Sequence, residues 1–422
     1  MDAWNKRCEV TMTRTLLFAP ETFNFAEVTR CVEVARRLPE FRCVFAGFSD
    51  RFVDPILQAG FEYRPLTPVL TDEEGDMALA LDQGRGWKHP FTTSMVRERV
   101  ASERALIREL RPEAVLIGTT LTQLISARAE GVPLYYAKPF AYSVPHMTQM
   151  RRTGFLPTGT AWQRFTDRSW AWFIRTVLSR VIPIPRSFTT VAKECGLDLP
   201  RSMVRFIDAD VNLLASPPEL IPDWCTLDDT HVAVGPLYAQ LTLPIPDEVA
   251  GIRDAGRPVV LVAMGSSANR DLALQVLHDV SRADVMVLSP TRLYLSDEDI
   301  ATLPGNVHVT DWLPVHELGA LVDVAITHGG EGTVQTSCAN GWPFIGIPLQ
   351  FEQRYNVTRC VEFGNARLVT RKQAARTDWA RAATWLLEDQ ATHRAAASMA
   401  ELFRTQDGPG RCAAEIRSRL GS

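Results

Sequence analysis

The chain has 422 residues, enough for two domains of about 200 residues each. Its 45 Lys+Arg against 49 Asp+Glu leave a formal net charge of −4, so the composition offers neither a basic surface for nucleic acid nor a strongly acidic face. Eight cysteines are scattered without a C-x-x-C, and no run of about 18 apolar residues occurs. The expectation is a cytoplasmic chain with free thiols and no stable membrane insertion.

Residues 1–13 are polar, and Met12, just before the first apolar run, is an alternative start that would make 1–11 a dispensable tail. The run 15–19 predicts a buried strand, 26–38 a helix and 43–47 a second strand, which together read as a βαβ unit and a parallel sheet. Residues 52–66 repeat the rhythm, with Gly60 ending a helix before another short strand. Further strands are predicted at 114–118, 134–137 and 211–215. Asp208-Ala209-Asp210 has the spacing of an acidic metal motif but sits at a strand entry, where it reads as chance composition; no metal site is expected. The proline-rich stretch 217–256 reads as a linker. A second βαβ series then runs from 259 to about 369, and the alanine-rich segment 379–404 predicts one long helix.

Within the second series, three pieces stand close together. Asp-Trp-Leu-Pro at 311–314 places an aromatic ring near a strand end, where it can stack a nucleobase. A short strand at 324–326 then runs into His328-Gly329-Gly330-Glu331-Gly332-Thr333 and a helix. Glycines allow close backbone approach, and a helix start offers free N–H groups to an anion such as a diphosphate. Glu352-Gln353 follows, a carboxylate and an amide suited to sugar hydroxyls.

In this order and spacing, the segment resembles the donor-binding signature of family 1 glycosyltransferases, particularly bacterial natural-product enzymes, over roughly residues 258–369. The resemblance implies a GT-B fold: two doubly wound α/β domains facing a cleft, with ligands at the carboxyl ends of the strands. It divides the chain into an acceptor-binding domain (13–216), the linker (217–256), a donor-binding domain (257–390) and C-terminal helices (391–422) that cross back onto the first domain. Trp312 would stack a uracil or thymine ring, and His328, Gly330, Gly332 and Thr333 would hold the diphosphate. Ser266 and Ser267 would supply a second phosphate-contacting loop, and Glu352 and Gln353 would bind the transferred sugar. Glu331 departs from the family's small residue in the glycine run; a carboxylate beside a diphosphate is unfavourable, so it should point away or meet the sugar.

The reaction implied is an inverting, metal-independent sugar transfer from a UDP- or dTDP-sugar cosubstrate, with no other cofactor, to a small apolar acceptor. It needs a base beside the acceptor. Many relatives carry a histidine there, within G-H-x-x-P; aligning 31–38 with the family's first helix puts Glu27 at that position. The supporting aspartate's place is taken by Gly118 or Thr119, so both members of the family's His–Asp dyad are absent and Glu27 would act as a base without a dyad partner, with Glu21 a weaker alternative. The bland reading of Glu27 is helix-dipole complementation. Tyr142, His146 and Trp172 are the candidate acceptor-binding residues, and His146 is a secondary base candidate. The segment 160–181, with aromatics and arginines interleaved, admits three readings in this order: a helix packed on the core by its aromatic face, an acceptor lid, and a membrane-surface helix. The alternatives to a transferase are a non-catalytic nucleotide-sugar-binding auxiliary protein and, third, a nucleotide-sugar epimerase. Partners are the nucleotide sugar and the acceptor, with a homodimer left open.

Overall fold

The computed structural model describes residues 14–82, 90–154, 160–241, 243–264, 270–311 and 313–421. Two parallel sheets, each wrapped by helices, form two doubly wound domains in the GT-B arrangement. The first sheet holds β1 (Thr15–Ala19), β2 (Arg42–Gly47), β3 (Glu62–Pro65), β4 (Ala114–Ile117), β5 (Leu134–Lys138), β6 (Val211–Leu214) and β7 (His231–Ala233). Its spatial order is β3-β2-β1-β4-β5-β6-β7, so the chain reverses direction across the sheet between β1 and β4. The second holds β8 (Val259–Ala263), β9 (Met286–Ser289), β10 (Val307–Val309), β11 (Val324–Thr327), β12 (Phe344–Gly346) and β13 (Ala366–Leu368), in the order β10-β9-β8-β11-β12-β13.

The central strands are apolar throughout because helices cover both faces of each sheet. In β1 the pleat sends Leu16 and Phe18 into one core and Leu17 and Ala19 into the other. In β8, Val259 and Leu261 face one core, and Val260 and Val262 the other. Each sheet therefore anchors two cores, and the loops leaving the carboxyl ends of β1 and β11 start from buried strands.

Two sequence expectations change. The segment 217–256, expected as a linker, contributes β7, which pairs with β6 at Asn212↔His231. The predicted helix 379–404 is two helices, Trp379–Glu388 and Gln390–Arg404. They separate at Asp389, whose extended ψ of 87° leaves the helical range and whose side chain caps the second helix by accepting from the Ala391 N–H. Helix propensity did not register this stop because the alanines on either side favour helix equally. The last helix, Gly408–Leu420, buries Cys412, Ala413 and Ile416 in the first domain's core beside Leu16 and Phe18.

Candidate functional site

Between the domains lies a cavity of about 220 Å³. On one side it is lined by the start of helix Phe25–Ala35, with Asn24, Phe25, Thr29 and Arg30. Opposite are the end of β8 (Ala263, Met264), the apolar wall of Pro290, Tyr294 and Leu313, and the turn His328 to Thr333.

That turn is built by β11 and the helix Glu331–Asn340. Gly329 sits at φ +85°, and a Cβ there would lie 2.6 Å from Val357 Cγ2, so only glycine fits. The Thr327 hydroxyl accepts from the Gly329 N–H and meets the Thr333 hydroxyl at 2.8 Å. Thr333 also donates to the Gly330 carbonyl, fixing the first turn of the helix. Gly330 is the N-cap and brings no side chain to the helix start. A Cβ at Gly332 would meet nothing within 4 Å, so that position opens towards the cavity. The result is a helix N-terminus with its free N–H groups turned to a concave space, an anion seat by its dipole and donors.

His328 is buried against this seat. Its Nδ1 is 3.2 Å from the Ala263 carbonyl, which assigns that proton to Nδ1, and Nε2 faces Gly330. Burial pushes the imidazole down to about 4, so it is neutral near pH 7.

Glu331, at the first position of the helix, turns to the other domain and forms a buried ion pair with Arg30. Arg30 donates a second bond to the Ala137 carbonyl, at 2.9 Å, from the end of β5. Burial raises the Glu331 carboxyl and the Arg30 guanidinium opposes that rise. Arg30 escaped sequence reasoning because 301 positions separate it from its partner; the only signal was the unusual carboxylate in the glycine run.

Glu352 and Gln353 begin helix Phe351–Phe363, next to the glycine turn but outside the cavity lining. Glu352 accepts from Asn356, which also donates to the Gly329 carbonyl at 3.3 Å. Gln353 accepts from the Leu349 N–H at 2.9 Å and donates to Gln350. Trp312, Ser266 and Ser267 lie outside the described residues.

Glu27 is 6% exposed and lies beside the cavity without lining it. Its carboxylate accepts from the Glu21 and Thr119 N–H groups at 3.1 and 2.7 Å, from Asn24 Nδ2 at 3.2 Å and from the Thr119 hydroxyl at 2.5 Å. A Cβ at Gly118 would come within 2.0 Å of Glu27 Oε2. The carboxylate thus fills the space that a side chain at 118 would enter, and its hydroxyl partner Thr119 is exposed. Glu21 is buried and paired with Arg99 at 2.7 Å; burial raises its carboxyl against the pull of that guanidinium.

The three acceptor-binding candidates lie apart from the cavity lining. His146 is buried among Phe140, Trp224, Phe351 and Tyr355, with Nδ1 donating to the Ala141 carbonyl at 2.9 Å. Burial holds its imidazole down at about 4. Tyr142 stacks on Phe351 at 6.3 Å, so this cluster is an aromatic joint between the domains. Trp172 is 55% exposed on the outer face of its helix. The core-packed reading of that helix is overturned: its buried residues are Asp167 and Ala171, and the aromatic face points to solvent. Asp208 of the acidic motif pairs with Lys138 and His231, and Asp210 accepts from the Leu134 N–H. Among the described residues no cluster of three or more His, Cys, Asp or Glu could hold a metal, and no helix is long and apolar enough to cross a membrane.

Residues 275–418 match the family model described as erythromycin biosynthesis protein CIII-like, C-terminal domain. A PGL/p-HBAD biosynthesis glycosyltransferase of Mycobacterium tuberculosis is 28% identical over 403 residues, covering 93% of this chain and 90% of that one. A PGL/p-HBAD biosynthesis rhamnosyltransferase of Mycobacterium bovis is 26% identical over 398 residues, 92% of this chain and 84% of that one. The solved structure of glycosyltransferase VinC in complex with DTDP superposes with a TM-score of 0.66 at 17% identity, over 96% of this chain and 99% of that chain, and so has the same fold.

Proposed function

We propose that this chain, a family 1 glycosyltransferase of the GT-B fold, moves a sugar with inversion from a pyrimidine nucleoside-diphosphate donor to a small apolar acceptor. The observation that carries the reading is the open N-terminus of helix Glu331–Asn340, which forms one side of the cavity between the domains. A diphosphate seated there is stabilised as it leaves by N–H donors and the helix dipole, so the reaction proceeds without a metal. The apolar wall of Pro290, Tyr294 and Leu313 suits a pyrimidine ring, with Trp312 as the stacking residue. dTDP is the first nucleotide to test, because a protein of the same fold is solved with it.

The acceptor oxygen attacks the anomeric carbon while the bond to the diphosphate breaks, its electron pair leaving with the nucleotide. The acceptor proton passes to Glu27 through the hydroxyl of the exposed Thr119, which already donates to that carboxylate. A phenolic acceptor gives up its proton most readily and needs the least from such a relay. Glu352 and Gln353 reach the sugar hydroxyls when Asn356 and Gln350 release them.

The test combines thermal shift with product analysis. Stabilisation by dTDP or UDP and a glycoside product support the reading; an isomerised donor or no product under any acceptor overturns it. Glu27→Gln and Thr119→Ala should each lower kcat by about 10²–10⁴-fold while nucleotide stabilisation persists. Full turnover in both variants removes the relay.

A further inference from the structure

The helix Ala161–Phe173 is amphipathic in the inverted sense. Thr160 and Gln163 close a capping box at its start, and Asp167 and Ala171 are its buried residues. At about 100° per residue, Trp162, Phe165, Trp170, Trp172 and Phe173 fall within one arc of roughly 160°, and they are 71, 60, 53, 55 and 37% exposed. With Val181, six of the eleven exposed large apolar side chains among the described residues sit between 162 and 181. The other five are scattered singly, which is ordinary for a surface; this concentration is not.

Charge selects the occupant. Between 149 and 186 the chain carries seven arginines, including Arg164, Arg168, Arg175 and Arg180, and one acid, Asp167. The segment is therefore +6 (7 − 1) within a chain of −4, and Asp167 is buried, so the segment brings only positive charge to the surface. A second copy of the chain would bring the same positive patch against it and be repelled. An acceptor lid would turn its rings to the cavity, and none of these rings lines it.

We propose that residues 161–181 dock the enzyme on an anionic lipid surface. The tryptophans and phenylalanines enter the headgroup boundary, where amphipathic rings are favoured, and the arginine stems lie along it with guanidinium groups on lipid phosphates. The patch is tied to the cleft: Thr153 donates to Asp167, and the neighbouring Gly154 carbonyl accepts from Arg354. Arg354 belongs to the helix Phe351–Phe363, which also carries Glu352 and Gln353 in its first turn. A docked enzyme therefore presents its cleft rim close to the bilayer, where an apolar acceptor concentrates; that last step rests on the transferase reading above, the docking does not.

The experiment is co-sedimentation of the full chain with vesicles of phosphatidylcholine alone, or of phosphatidylcholine and phosphatidylglycerol in equal parts. Binding to the anionic vesicles should be at least about tenfold tighter and should fall away near 1 M salt, where the Debye length is about 3 Å. The variant Trp162→Ser/Phe165→Ser/Trp170→Ser should lose binding by at least about tenfold, with its dTDP thermal shift unchanged. Arg168→Gln/Arg175→Gln/Arg180→Gln should lose the preference for anionic lipid. Equal sedimentation of parent and aromatic variant, or no binding at any composition, overturns the proposal. So does a dimer that the aromatic variant dissociates without any vesicle binding, or a raised KM for a water-soluble phenol as the variant's only effect. Because nucleotide stabilisation is read separately, a failed donor site and a failed docking surface give different results.

Discussion

Replacing Glu331 by glutamine removes one negative charge from the anion seat while keeping the side chain's shape. In the parent protein the Arg30 guanidinium is matched by Glu331, so the pair presents little net charge to the helix start. In Glu331→Gln, Arg30 keeps its bond to the Ala137 carbonyl and gains a free unit of positive charge. A diphosphate at the helix N-terminus lies on the order of 7 Å from that carboxylate, a little over one helical turn. For roughly two phosphate charges and an effective dielectric of about 40–80, the change is worth about 1–2.5 kcal/mol. That corresponds to roughly five- to fiftyfold tighter dTDP or UDP binding, measured by isothermal titration calorimetry at fixed salt and pH. The converse variant, Arg30→Gln, leaves a buried carboxylate unpaired and should cost about 3–5 kcal/mol of stability along with affinity. If Glu331→Gln binds nucleotide within twofold of the parent, or more weakly, the ion pair does not compete with the diphosphate and the reasoning is wrong.

The glycines of the turn should separate by readout. Gly332→Ala puts its methyl into open space, so stability holds while dTDP stabilisation is lost; Gly329→Ala, at φ +85° and against Val357, should lower the melting temperature instead. Acid should destabilise the protein through His146 and His328, each held neutral with its pKa lowered from 6.5 to about 4. The unfolded chain binds these protons first, so stability is full above about 6.5 and falls as pH drops towards 4. At pH 5 the loss is about 2 kcal/mol per histidine, seen as a lower urea midpoint than at pH 7, and His146→Gln should remove its own share. Since a bound diphosphate favours the protonated imidazole, dTDP binding should also take up a proton at His328; calorimetry in buffers of different ionisation enthalpy checks this, and zero uptake in the parent protein refutes it.

The strands were legible because buried parallel strands carry a nearly continuous apolar run: Thr15–Ala19 has the same bounds in sequence and structure. The glycine turn was legible for a related reason, since a helix start without side chains leaves a pattern in a few consecutive residues. What escaped depends on distance or on direction. Arg30 meets Glu331 across 301 positions, and nothing local to either residue announces the other. Glu27 was readable as a carboxylate at a helix start, but the saturation of its oxygens by Thr119, Asn24 and the Glu21 backbone is a property of the folded loops. The periodicity of 161–173 marks a helix with one aromatic face, yet periodicity has no sign. Only packing reveals that Asp167 and Ala171 face inward.

The two crossings between the domains touch each other, and this restricts how the cleft can breathe. The outgoing chain passes at Gly235–Leu237, where the Leu237 N–H is held by Gln335 of the donor domain at 2.8 Å. The returning chain passes at Gln406–Gly408, so close that a Cβ on Gly408 would lie 2.0 Å from the Pro236 carbonyl oxygen. Two cords side by side act as a door hinge: they permit rotation about the line that joins them and resist sliding or twisting. The Arg30–Glu331 pair is then a further tie across the cleft, beside the aromatic joint at His146 and Tyr355, and Gly408 marks where the two cords meet. A chain cut before Gly408 loses both the second cord and the wedge that Cys412, Ala413 and Ile416 drive into the first domain; the acceptor half is therefore not a module that can be expressed without the chain's far end.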